Sequence, residues 1–300
     1  GEARYFAPTP GRTWESGTFG CVRSDGHQLH EGIDILRTRR DRKGEPTDPV
    51  TAAADGTVAY INRKSGLSNY GNYIILRHRI ERLDIYTLYA HLASVGDGLG
   101  LGDKVNTGSL LGVMGRTSNT KTRIGSDRAH LHFEIVLAAN SRYAAWHEAN
   151  LAGYRNDHGN WNGRNLIGLD PRKILLQQRT EGGKFSLLNF IQSRKELCRV
   201  LVRKSDFAFA RAHPPLVRAT AAAKSEGAAA YEVVLDFNGV PCQLIARAPS
   251  EIKGYSAKYS LLSVNDTEQQ QHGCRKFLAA KSGKWTLTAA ALQHLDLLSY

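Results

Sequence analysis

NYIILRHRI (residues 72–80) and LDIYTLYA (83–90) are two runs dense in β-branched and aromatic residues. Side chains of this kind pack well on a pleated, partly buried surface, so both runs are expected as strands. Working outward, VTAAADGTVAYI (50–61) carries Asp55-Gly56 in its middle, a dipeptide that favours a tight hairpin turn. GLGLGDKVNTGSLLGVMG (98–115) sets glycines around short apolar pairs, as in the turns of a compact all-β domain. No long amphipathic helix interrupts residues 50–138. The expected fold class is mainly β, an antiparallel β-sheet domain whose long loops form a groove.

Three stretches read as those loops: 36–49, polar and basic; 116–129, leading into His130; and 139–169, rich in Trp, Asn and Gly without a clear period. A second unit is expected from about residue 181. It contains YEVVLDFNGVPCQLIAR (231–247), a hairpin signal with Asn238-Gly239 at the turn. AAAKSEGAAA (221–230) reads as an exposed loop. The tail TAAALQHLDLL (288–298) spaces Leu292, Leu295 and Leu298 as a helix would. The expected organisation is a domain over 1–180 and a small α+β accessory domain over 181–300, the latter without a catalytic constellation.

Three hundred residues at 41% hydrophobic can bury a sizeable core, and no run approaches the ~18 apolar residues of a membrane span. The chain begins GEARYF, without an initiator methionine and without the apolar stretch of a signal peptide, which fits a processed or trimmed chain. The net charge of +12 divides evenly about residue 180 and favours anionic partners. Its basic clusters are broken by acids and lack interleaved aromatics, so nucleic acid is not expected. None of Cys21, Cys198, Cys242 and Cys274 forms a CxxC pair, which argues against a thiolate zinc site. Three lie at or beyond residue 198, so one disulfide is expected there, with Cys21 a buried thiol.

HLHFEI (130–135) puts two histidines two positions apart in a strand-like run. Residues i and i+2 of a strand share a face, so His130 and His132 point at one place while Leu131, Phe133 and Ile135 face a core. Upstream, HEGID places His30 and Asp34 four apart. His30, Asp34 and His132 together supply two imidazoles and a carboxylate, a set that suits zinc and leaves the open fourth position of a catalytic site. A hydrolase also needs groups that move the proton of water and steady developing charge; His91, at the end of YTLYAHL, and His130 are the candidates. HEGID offers no HExxH, since no histidine follows at the required position.

The order HEGID, DPVTAAADGTVAYIN, NYGNYIIL, YTLYAHL, VNTGSLLGVMGRT, HLHFEI resembles the lysostaphin/LytM-type zinc metalloendopeptidases from about Phe19 to Leu137. That resemblance implies a mainly antiparallel β domain with a groove, one Zn2+ held by His30, Asp34 and His132, and catalytic assistance from His91 and His130. It also implies cleavage of peptide bonds in bacterial peptidoglycan by an exported protein, periplasmic or wall-associated. A non-catalytic wall-binding or amidase-activating module, and a zinc peptidase acting on a protein, are the alternatives. A monomer is favoured. The loops 36–49 and 116–129 look longer than usual for the family, and Arg116, Lys121, Arg123 and Arg128 are candidate partners for stem-peptide carboxylates.

Overall fold

A computed structural model describes residues 1–121 and 124–300; Arg123, one of the candidate substrate-binding residues, lies outside the described residues. The chain divides into two compact units. The first comprises 1–80, 84–137 and 168–183, and the second 81–83, 138–167 and 184–300.

The first unit is built on strands β1 (Gly20–Arg23), β2 (Gln28–His30), β3 (Ile33–Leu36), β4 (Pro49–Thr51), β5 (Gly56–Asn62), β6 (Asn72–Ile80), β7 (Leu83–Val95), β8 (Lys104–Val105), β9 (Leu110–Met114) and β10 (His130–Ala138). The sheet runs β10-β7-β6-β5-β8, with β3 also on β10 and β9 on both β4 and β7. The two runs that announced the fold form its centre. Tyr73, Ile74, Ile75 and Leu76 on β6, and Leu88, Tyr89, Ala90 and Leu92 on β7, are all buried, because the pair is covered on both faces. On β10, Leu131, Phe133 and Ile135 are buried as the alternation required.

The hairpin expected at Asp55-Gly56 does not form: β4 pairs antiparallel with β9, whereas β5 pairs with β6 and β8. The Asp55 carboxylate instead accepts hydrogen bonds from the Thr107 amide and hydroxyl, which diverts the dipeptide from a turn to a crossover. Gly56 is required there for another reason. A Cβ would lie 2.8 Å from the Arg77 carbonyl oxygen.

Further along lie α1 (Tyr143–Asn150), β11 (Leu166–Leu169) and α2 (Pro171–Glu181), the last capped by the Asp170 side chain on the Lys173 amide. The 139–169 stretch thus holds a short helix. Its buried Tyr143, Trp146 and His147 fall at i, i+3 and i+4, a stripe only two turns long and easily lost among Asn and Gly.

The second unit adds α3 (Leu187–Gln192), β12 (Cys198–Val202), α4 (Ala208–Ala212), β13 (Val217–Ala219), α5 (Ala221–Glu226), β14 (Ala230–Leu235), β15 (Pro241–Arg247), β16 (Tyr259–Val264), α6 (Asp266–Gln271), β17 (Leu278–Lys281), β18 (Lys284–Leu287) and α7 (Ala289–Ser299). Its sheet order is β13-β15-β14-β12-β16, an α+β arrangement. β14 and β15 form the expected antiparallel pair around Asn238-Gly239, with the Asp236 carboxylate accepting from the Asn238 and Val240 amides. The alanine run expected as a loop is helical over α5: Thr220 caps the Ala223 amide, and Gly227 at φ +88° ends the helix. Helix α7 is present, but Leu292 is exposed, and the buried residues are Ala291, His294, Leu295, Leu297, Leu298 and Ser299. The cysteines also differ from expectation. Cys198 and Cys242 are free buried thiols, and Cys21 and Cys274 are disulfide-bonded.

Candidate metal centre

The register of β10 assembles the centre. His132 lies opposite Asp34 of β3 on one side and opposite Ala90 of β7 on the other, so two short-range motifs and the end of a third strand meet at one point. His30, ending β2, reaches the same point across the tight HEGID connection. Gly32 permits this approach, since a Cβ there would sit 2.3 Å from the Phe133 carbonyl oxygen.

His30 Nε2, Asp34 Oδ1 and His132 Nδ1 converge with separations of 3.0, 3.2 and 2.9 Å, and all three side chains are buried. The outer atoms of each imidazole fix its tautomer. His30 Nδ1 is 2.7 Å from the Thr18 carbonyl oxygen, which can only accept, so Nδ1 carries the proton and Nε2 presents a lone pair. His132 Nε2 likewise donates to Glu134 Oε1 at 2.8 Å, leaving the Nδ1 lone pair facing inward. Three lone-pair-bearing atoms at these separations need a proton or a cation between them. Two nitrogens and one carboxylate oxygen, each imidazole held from behind by an oxygen acceptor, form a donor set that fits a divalent transition metal.

The electrostatics point the same way. Burial alone would raise the Asp34 carboxyl, but the His30 and His130 charges and hydrogen bonds from His132 and His30 hold it well below the usual carboxylate range. Burial would lower His132, yet the Asp34 and Glu134 carboxylates lift it to about 10. The site attracts positive charge.

His91 and His130 stand beside this set without joining it. Their rings are 5.0 Å apart, edge to face, and His91 is 5.9 Å from His132. Each donates through Nδ1 to a carbonyl oxygen, His91 to Thr117 at 2.8 Å and His130 to Arg128 at 2.6 Å. Both therefore carry an Nε2 lone pair when neutral. His130 Nε2 lies 3.5 Å from Asp34 Oδ1. Burial, then the neighbouring His130 and His132, push His91 down to about 3, and burial lowers His130 as well. His91 occupies a strained backbone position, φ +61°, where β7 leaves β10 at Ala90 and takes up β9 at Leu92. Its amide donates to the Tyr70 carbonyl.

The candidate substrate residues are placed as follows. The Arg116 guanidinium is paired with the Glu45 carboxylate, tying the 36–49 and 116–129 loops together. Arg128 Nε donates to the Pro8 carbonyl, and Lys121 is exposed. Glu134, Arg23 and Tyr70 belong to the centre although the motifs did not single them out. Glu134 continues the face of His130 and His132 by one more alternation, a signal present in HLHFEI itself. The Arg23 guanidinium holds Asp34 Oδ2 at 2.5 Å and lies 3.1 Å from His30 Nε2. The Tyr70 ring lies 5.6 Å from that of His132.

Residues 28–144 match the model of Peptidase family M23. This segment is similar to the M23 peptidases. It is 34% identical over 110 residues to the DD-carboxypeptidase/endopeptidase Mpg of Neisseria meningitidis serogroup B (strain ATCC 13091 / M2091), a match covering 37% of this chain and 20% of Mpg. It is also similar to the murein hydrolase activator NlpD of Escherichia coli (strain K12), 33% identical over 136 residues, covering 45% of this chain and 28% of NlpD. The chain thus spans about a fifth to a quarter of the length of these relatives. Among solved structures, the catalytic domain of the antimicrobial peptidase lysostaphin from Staphylococcus simulans is 20% identical with a TM-score of 0.33, covering 53% of this chain and 89% of that one. The M23 segment begins two residues before His30 and ends after His132, so all five candidate residues fall within it.

Proposed function

We propose that the protein is an exported zinc endopeptidase that hydrolyses peptide cross-links or stem peptides of bacterial peptidoglycan. The observation that carries this reading is the buried convergence of His30 Nε2, Asp34 Oδ1 and His132 Nδ1 beside two further imidazoles with inward lone pairs. Zinc held by the three would polarise the scissile carbonyl and acidify water. His130 and His91, each with an Nε2 lone pair when neutral, would take the proton from water at Nε2, and the N–H so formed would then donate to developing negative charge. Their depressed proton affinity keeps both neutral near pH 7, the state a base requires. Arg23 anchors Asp34 Oδ2, the carboxylate oxygen outside the converging set. A disulfide-bonded Cys21 fits an oxidising compartment outside the cytoplasm.

The similarity to an activator, NlpD, favours a second reading, in which the groove docks wall material or an amidase without cutting. Retention of a complete ligand set supports the enzyme. Purified protein should carry one zinc and release muropeptides from sacculi, identified by mass spectrometry, and His132→Ala should lose both. Full cleavage by the variant rejects the metal mechanism; zinc-loaded protein without cleavage selects the activator.

A further inference from the structure

The loops at one end of the second unit's sheet form a basic cleft. The sheet order and its antiparallel pairings bring the C-terminal ends of β12 and β15 and the N-terminal ends of β14 and β16 to the same side. Residues that follow or precede these ends, 203–205, 229, 249, 252, 253, 255, 256 and 258, border an open cleft of about 670 Å³. Four cations line it, Arg203, Lys204, Lys253 and Lys258, and no acid does.

The balance of charge there is uncompensated. Lys258 is neutralised by Asp296 at 2.7 Å, and the nearby Asp206 is taken by Arg211. Among the described residues, no ion pair is made by Arg203, Lys204 or Lys253. The Arg203 guanidinium is fixed by Nη1 donating to the Ser256 carbonyl at 2.8 Å, which leaves its other edge free to form a fork. Burial and then the Lys258 charge depress Lys204 below its usual value, with Arg142 and Arg211 adding to the crowding and Asp296 offsetting it only in part. Cations held this close without counter-ions raise the local concentration of anions. The cleft is not wholly polar: Ile252 and Pro249 contribute apolar wall, and Tyr255 stands 41% exposed at its edge. Its volume lies in the range that accommodates a molecule of several residues rather than a single inorganic ion.

We propose that this cleft is a binding site for a short acidic peptide, whose carboxylates pair with Arg203, Lys204 and Lys253 while its non-polar atoms lie against Ile252 and Tyr255. The site is separate from the metal centre, and its occupancy does not depend on peptidase activity. Fluorescein-labelled tetraglutamate, titrated into the full chain and followed by anisotropy, tests it. Binding is expected to saturate and to weaken with salt. The double variant Lys204→Ala/Lys253→Ala should weaken it at least tenfold. Lys281→Ala/Lys284→Ala, which removes the same charge from an exposed hairpin in the same unit, should leave it unchanged. Lys253→Glu, at an exposed position, repeats the measurement should the double variant fold poorly. Absence of tetraglutamate binding, or equal losses in both double variants, overturns the proposal. Tighter, cleft-dependent binding of oligo-dT overturns it in favour of nucleic acid, and full displacement by equimolar inorganic phosphate reduces it to a simple anion site.

Discussion

At the scale of residues, the centre is held from behind. Glu134 is buried in a strand and receives the His132 Nε2 proton, an arrangement that fixes the ring and makes the metal-facing nitrogen a stronger donor. Removing such a partner typically costs about 10–100-fold in metal affinity. Glu134→Ala should weaken zinc binding by about that range, measured by competition with a chromophoric chelator. Glu134→Gln, whose amide oxygen still accepts the same proton, should lose less. Equal affinity in all three proteins would mean that Glu134 only fills space. The two histidines of HLHFEI were legible as sharing one face, but their different roles were not. That difference depends on what each Nδ1 or Nε2 meets, Arg128 in one case and Glu134 in the other. Arg23 was illegible because an isolated arginine in CVRSDG has no partner until β1 and β3 fold around it.

At the scale of elements, strands with dense β-branched runs were readable, and pairings between them were not. Asp55-Gly56 has the local chemistry of a hairpin turn, but Thr107, more than fifty residues on, claims the carboxylate and sends β5 to other partners. Helix α7 was readable from its period, yet its buried face is set by contact rather than by leucine count. His294 shows what that contact costs. It lies buried against Phe277, donates Nε2–H to the Gly239 carbonyl, and is pushed by burial, then by the Arg275 charge, down to about 4. An unfolded histidine titrates near 6.5, so between about pH 6.5 and 4 the unfolded chain binds more protons than the folded one. Stability should therefore fall as pH drops through that window, by up to ~3 kcal/mol from this group. His294→Gln, which keeps an N–H for the Gly239 carbonyl, should flatten the acid limb of a urea-unfolding series. An unchanged limb would assign the acid sensitivity to other groups.

At the scale of the molecule, the net charge of +12 is divided evenly about residue 180 instead of being gathered in a tail. A wall polymer with free stem-peptide carboxylates, the substrate proposed for the metal centre, would meet attraction over much of such a surface. Long-range attraction of this kind is screened once the Debye length, about 30 Å at 0.01 M ionic strength, shrinks to about 8 Å at 0.15 M. A contact made only inside a buried groove is screened far less. The metal-free His132→Ala protein keeps nearly all of the surface charge and should leave the polymer intact, so it can be co-sedimented with sacculi without digestion. Its retention in the pellet should fall steeply over that salt range if distributed charge gathers the protein onto the wall. Lys204→Ala/Lys253→Ala in the same background should lower retention at low salt only in proportion to the two charges removed, because most of the attraction is spread elsewhere. Retention that ignores salt would place the affinity in the groove alone and leave the basic surface without a part in wall binding.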